Sequence, residues 1–130
     1  MYQPLPVVLV VEDDALVRTF AVEVVEEAGF VAIEAANADD AIVILEHRAD
    51  IALVFTDIDM PGSMDGLKLA HAVRNRWPPI KIVIVSGKSN LSDSELPSNC
   101  RFFAKPYPVS RMICELRFLL FPGPETGTRI

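Results

Sequence analysis

Four short stretches carry the side chains that could do chemistry. They are Glu12, Asp13 and Asp14 in "VLVVEDD", Asp57 and Asp59 in "LVFTDIDMPG", Ser86 in "VIVSG", and Lys105 in "FFAKPY". Each set follows an apolar run. A carboxylate placed where a buried strand leaves the core is partly desolvated, which is costly unless something pairs with it. Clustered carboxylates also repel one another and call for a hard cation. Magnesium takes one or two carboxylates together with waters and phosphate oxygens, and manganese accepts the same oxygen donors. Beside such a cation a carboxylate can attack phosphorus and become an aspartyl phosphate. A lysine then neutralises the phosphoryl oxygens and a hydroxyl donates to one of them. Asp57 suits the nucleophile because it stands alone at its strand end. Glu12 and Asp13 suit the metal, one directly and one through water. Lys105 suits a partner for Asp57 before transfer and for the phosphoryl group afterwards, and Ser86 suits a donor to the new group.

Taken singly, each has a plainer reading. "EDD" can cap a helix and favour its dipole. Asp57 can cap a loop, Ser86 can be a turn residue before Gly87, and Lys105 can be a surface lysine before Pro106. His47 and His71 read as solvated residues on polar helix faces. What separates the readings is whether the elements bring the four stretches together.

The pattern along the chain alternates. Val7 to Val11 is an unbroken apolar run, a buried strand. Ala15 to Ala28 has helical spacing with Val17, Ala21, Val24 and Ala28 on one stripe. Asp14 can cap it, and Gly29 stands where a left-handed residue belongs. Val31 to Ala35 is a short strand. Asn37 caps a second helix running to Leu45, with Asp39 and Asp40 in its first turn. Leu53 to Thr56 is the third strand. Leu67 to Trp77 is a helix with Leu67, Ala70, Val73 and Trp77 inward, ended by Pro78 and Pro79. Lys81 to Val85 and Phe102 to Ala104 are the fourth and fifth strands. Ser110 caps a last helix that runs to Phe121. Strands that are apolar throughout are buried on both faces, and helices between them imply parallel crossovers. The expected architecture is an α/β doubly wound sheet of five parallel strands. The segment Gly87 to Cys100, rich in Ser, Asn and Asp, stands where a fourth helix belongs, and a short or absent helix is expected there. In such sheets ligands bind outside the carboxyl ends of the strands. The four stretches therefore meet at one edge.

The gross numbers set bounds. At 130 residues and 51% hydrophobic, the chain suits one globular domain. The expected division is a domain over residues 1–121 and a Pro/Gly-rich flexible tail over residues 122–130. A net charge of −6 argues against a binder of nucleic-acid backbones. Cys100 and Cys114 form no disulfide framework and no metal spacing, and read as buried free thiols in a reducing cytoplasm. No signal peptide and no membrane-length apolar run is visible, so a cytoplasmic protein without membrane contact is expected.

The stretches "VLVVEDD", "TDIDMPGSMDGL", "VIVSG" and "FFAKPY", in this order, resemble the response-regulator receiver domain of two-component signalling, in its stand-alone CheY-like, flavodoxin-like form. The resemblance covers residues 6 to 121, and the joint pattern is far more specific than any piece of it. It implies that a histidine kinase or phosphotransfer protein donates a phosphoryl group from a phosphohistidine to Asp57, with magnesium. It further implies that the backbone carbonyl of Asp59 completes a metal shell with Glu12, Asp13 and Asp57. Ser86 and Phe102 then become the switch residues that change a distal face for an unnamed protein target. Two neighbours, Asp59 and Lys88, stand where they could set the lifetime of the phosphoryl group, by shielding it or by orienting water.

Three departures from the commonest pattern stand out. Ser63 looks like a one-residue insertion in "MPGSMDG". The fourth helix looks reduced, which leaves open the usual dimer or target surface. Phe102 lacks a tyrosine hydroxyl. Two other functions compete. "TDIDM" matches the start of haloacid-dehalogenase-type phosphatases, but those place the nucleophile before the metal-binding acids, whereas here "EDD" comes first. A phosphorylation-independent binding module is opposed by the intact Glu12, Asp13, Asp57, Ser86 and Lys105 set. The chain is thus expected to catalyse only its own phosphorylation and dephosphorylation. The start at Met1 and the short tail favour a stand-alone chain over a module excised from a hybrid kinase.

Overall fold

The structure is a computed structural model that describes residues 5–60, 64–87 and 95–121. Its elements run β1 (Val7–Val11), α1 (Ala15–Glu27), β2 (Val31–Ala35), α2 (Ala38–His47), β3 (Ile51–Asp57), α3 (Gly66–Arg76), β4 (Lys81–Ser86), β5 (Cys100–Ala104) and α4 (Val109–Leu120). The strands form one sheet in the order β2-β1-β3-β4-β5. Every neighbouring pair is parallel.

Alternation along the strands divides the core in two. Leu9, Val11, Val54, Ile82 and Ile84 point to the face covered by Ala41 and Leu45 of α2 and by Leu69, Ala70 and Val73 of α3. Val8, Val10, Leu53, Val83 and Val85 point to the face covered by Ala21, Val24 and Val25 of α1 and by Met112 and Leu116 of α4. This is the doubly wound arrangement expected from the strand composition. Burying each such side chain contributes about 1.5–3 kcal/mol, so the three central strands anchor the sheet. The edge strands β2 and β5 are only partly covered.

The helix starts follow local chemistry. The Asp14 side chain accepts from the N–H groups of Leu16 and Val17, and Asn37 accepts from Asp40 N–H. Gly29 has φ +103, a left-handed conformation that costs glycine little. Asp65 caps α3 by accepting from Lys68 N–H at 2.9 Å.

Several sequence expectations shift. Val17 is 38% exposed, because the α1 stripe that meets the sheet is Ala21, Val24 and Val25. On α3 the fully buried leucine is Leu69, whereas Leu67 is half-buried. Trp77 is half-buried beside the core, with the Arg76 guanidinium 4.4 Å over its ring. Ser110 does not cap α4. That helix begins one residue earlier, after Pro108, with no side-chain cap bond. Strand β3 is longer at both ends than its apolar run, and takes in Asp57. The thiols are free, but Cys100 is half-buried and Cys114 exposed. The expected reduction of a fourth helix falls on residues 88–94, which lie outside the described residues. Glu95–Asn99, ahead of β5, contain no α-helix.

Candidate functional site at the carboxyl edge

Strand register assembles the site. Val11 pairs with Thr56, Asp57 with Val85, and Ser86 with Ala104. Glu12 and Asp57 therefore leave the sheet side by side, with Ser86 and Lys105 just beyond them. The chain passes from β1 to β2 on one side and later to β3 on the other, so Glu12 and Asp57 flank the point where the winding reverses, the usual ligand crevice of this architecture.

The acids are close and mostly buried. Glu12 is 5% and Asp57 6% exposed. Carboxylate oxygens of Glu12, Asp13 and Asp57 lie within 4.8 Å of one another, with Asp13 open to solvent. Lys105 Nζ lies 3.3 Å from Glu12 Oε1 and 3.3 Å from Asp57 Oδ1. The first contact is also a hydrogen bond. The second is an ion pair whose angle leaves the buried Asp57 Oδ1 without one. Three hard oxygen donors, one of them an orphaned buried carboxylate oxygen, fit an octahedral divalent cation that keeps part of its water shell.

The electrostatics follow from burial. Desolvation pushes the Asp57 carboxyl above its ordinary range, against Lys105 and a hydrogen bond from the Asp59 backbone N–H, which favour the charged form. Desolvation likewise raises Glu12; the Asp14 N–H opposes that rise, Asp57 adds to it and Lys105 opposes it. Burial draws Lys105 down, but the Asp57 and Glu12 carboxylates more than reverse this and hold it above its usual value. The result is a lysine held positive beside a carboxylate whose charge is poorly solvated.

The other predicted residues fall as follows. Ser86 is 1% exposed, and its Oγ donates to Asp59 Oδ2 at 3.4 Å. The Asp59 carboxylate, itself exposed, thus faces the hydroxyl of Ser86. Lys88 lies outside the described residues. Phe102 is half-buried against the core face covered by α2 and α3.

Three features escaped the sequence reading. Gly66 opens α3 directly under Asp57: a Cβ there would overlap the Asp57 carbonyl oxygen and fall 2.7 Å from its carbonyl carbon. The glycine after the capping Asp65 was the available signal. Arg74 donates to the carbonyls of Ser98, Pro78 and Asn99 at 2.8, 2.6 and 3.0 Å, and His71 Nε2 donates to Glu95 O at 2.7 Å. Together they bind the approach to β5 onto α3. No local pattern announces a contact across more than twenty positions. Tyr107 stacks near Phe20 and Phe55, with ring centroids 6.2 and 6.1 Å away.

A five-stranded parallel sheet with an acid cluster, a hydroxyl and a lysine at its carboxyl edge defines a signalling receiver. The chain belongs to the response regulator receiver domain family, whose model matches residues 8–112. It is 30% identical over 116 residues to the response regulator receiver protein CpdR of Brucella abortus, covering 87% of this chain and 95% of that one. It is 34% identical to the sensor kinase CckA of the same organism over 79% of this chain, but spans only 11% of that protein. A response regulator receiver protein from Sinorhizobium medicae superposes with a TM-score of 0.83 at 26% identity, over 90% of this chain and 95% of that one. Receiver domains are signalling modules rather than classical enzymes, and they engage histidine kinases or phosphotransfer proteins. Among the described residues no helix is long and apolar enough to cross a membrane.

Proposed function

We propose that this chain is a single-domain, phosphorylatable switch in which Asp57 accepts a phosphoryl group from a phosphohistidine of a histidine kinase or phosphotransfer protein. The observation that carries this is the buried Asp57 Oδ1, without a hydrogen bond, 3.3 Å from Lys105 Nζ and within the Glu12, Asp13 and Asp57 cluster. Glu12, Asp13, Asp57 and the carbonyl of Asp59 would hold Mg2+, or Mn2+ in its place. When bound, that ion neutralises the acid cluster and the charge on the phosphoryl oxygens.

The chain's own residues do the rest. An Asp57 oxygen attacks phosphorus as the bond to the donor nitrogen breaks. Lys105 stays protonated and turns from the carboxylate to the new phosphoryl oxygens. Ser86 exchanges its long bond to Asp59 for a phosphoryl oxygen, and Phe102 moves in the space this opens, altering the outer face offered to a protein target. Asp59 and Lys88 flank the group and set its lifetime; an Asp59→Asn variant with an unchanged dephosphorylation rate would remove Asp59 from this account. Near-complete coverage of CpdR supports a stand-alone domain over residues 1–121, acting in the cytoplasm.

The test is intact mass after incubation with magnesium and acetyl phosphate, beside Asp57→Asn. Gain of one phosphoryl group by the wild type alone supports the reading. No gain in either, even at short times, would leave a receiver kept for binding. Gain in both would move the acceptor elsewhere.

A further inference from the structure

The turn that carries Glu12 and Asp13 is closed from behind by a cation. Arg18 stands at the end of the first turn of α1, where its N–H donates to Asp14 O at 2.8 Å. Its guanidinium reaches back toward the strand. Nη1 donates to Glu12 O at 2.8 Å, and Nε donates to Glu34 Oε1 of β2 at 3.0 Å. The Glu12 carbonyl belongs to the peptide unit that joins Glu12 to Asp13. That unit is planar, so a bond to its oxygen restricts the direction in which Asp13 leaves it. The rest of Glu12 is held as well. Its N–H donates to Ala35 O at 3.1 Å, and its carboxylate accepts from Asp14 N–H at 3.1 Å. Asp13 is exposed, so its direction is set by its backbone rather than by packing.

Charge alone gives no reason for Arg18 to be there. A positive group beside carboxylates that fit a divalent cation repels that cation. Glu34 offsets this: exposed on the edge strand β2, it pairs with the guanidinium and balances its charge. What is left at the site is a rigid planar donor that grips a carboxylate and a carbonyl at once, a geometry that a single ammonium does not supply. Contacts of this outer kind orient metal ligands and tune their affinity. Resting on the reading of Glu12, Asp13 and Asp57 as a divalent-metal site, we propose that Arg18 is a positioning residue. Through the Glu12 carbonyl it fixes the Glu12–Asp13 peptide so that both carboxylates serve one ion, with Glu34 as its counter-charge.

The experiment titrates the whole chain with Mn2+ and reads the free ion by its electron paramagnetic resonance signal, with urea unfolding in metal-free buffer to show that each variant is folded. The variants are Arg18→Met, Arg18→Lys, Glu34→Gln and Asp13→Asn. Charge and position predict opposite signs. Loss of a nearby positive charge should tighten Mn2+ binding, whereas release of the peptide should weaken it. Arg18→Met should raise the Mn2+ Kd about tenfold, at the low end of what lost outer contacts cost a metal site. Arg18→Lys, which keeps the charge and one donor, should recover part of that loss. Glu34→Gln, which frees the guanidinium and unbalances its charge, should also weaken binding. Equal or tighter binding by Arg18→Met overturns the positioning role and leaves the metal site in place. Should that variant fail to fold, unchanged binding by Glu34→Gln does the same. A wild type that binds Mn2+ no better than Asp13→Asn overturns the metal site and the positioning role together.

Discussion

Gly66 packs so tightly against Asp57 that a single added carbon would overlap the Asp57 carbonyl oxygen. The first residue of α3 is thereby tied to the last residue of β3, and the Gly66 N–H reinforces the tie by donating to Ile58 O at 2.9 Å. Asp57 and Ile58 are thereby held against the start of α3. Gly66→Ala should therefore force the backbone of Asp57 and Ile58 to move. We expect a loss of about 1–3 kcal/mol, the usual range for overpacking, seen as a lower urea midpoint, together with slower labelling from acetyl phosphate. Unaltered stability and labelling would show that the turn yields without consequence.

Burial of Asp57 gives a prediction of opposite sign. Its carboxyl is raised, chiefly by desolvation. A folded-state pKa above the unfolded value contributes stability that is complete below the ordinary carboxylate range and is lost as pH rises through the folded value. Asparagine suffers no such loss, and Glu12 keeps Lys105 paired. In metal-free buffer Asp57→Asn should melt higher than wild type at pH 7, by a few °C, since ~1 kcal/mol moves Tm by about 2–8 °C over this size range. The gap should close as pH falls toward about 4, near the unperturbed carboxylate value. Thermal melts across that window check it, and a gap that widens on acidification would reverse the argument.

Magnesium should relieve the same strain. A ligand at a hundred times its Kd stabilises by about 2.7 kcal/mol. Millimolar magnesium should raise the Tm of wild type, and chelation should remove the gain. Asp13 is exposed, so Asp13→Asn should leave the metal-free melt nearly unchanged and lose most of the magnesium increment. An increment of full size in that variant would take Asp13 out of the metal shell.

Arg74 should matter to the fold well away from the acceptor. Its guanidinium bonds carbonyls just ahead of two neighbouring strands, at Pro78 before β4 and at Ser98 and Asn99 before β5. Arg74→Met keeps the aliphatic stem but leaves those acceptors unmade. Hydrogen bonds to a charged group contribute about 1.5–3 kcal/mol, and a loss on that scale should appear in chemical unfolding, with faster proteolysis around residues 95–99. A variant as stable as wild type would mean that water replaces the guanidinium without cost.

Much of this molecule was written locally. The central strands were legible from their apolar runs and the shorter edge strands from their place between helices; two helix starts were legible because Asp14 and Asn37 act on their immediate neighbours, and one helix end because of Gly29. The carboxyl edge was legible too: where alternating strands and helices force parallel crossovers, every strand end lies on the same side, and Glu12, Asp13, Asp57, Ser86 and Lys105 had to converge. Those effects act within a few residues or follow from topology.

Tertiary structure decided the rest, because it depends on which surfaces meet. Helical spacing placed Val17 with Ala21, but the rotation of α1 on the sheet leaves Val17 38% exposed beside the cavity at Asp57. Lys105 was expected to serve Asp57; its position after β5 lets it serve Glu12 equally, ninety-three positions away. The long Ser86–Asp59 bond, the Arg74 clasp and the Gly66 approach join residues that no spacing rule connects. Residue types and order determined what chemistry this chain could hold. Packing determined how desolvated Asp57 is and which cation faces it, because desolvation and contact are properties of neighbours in space.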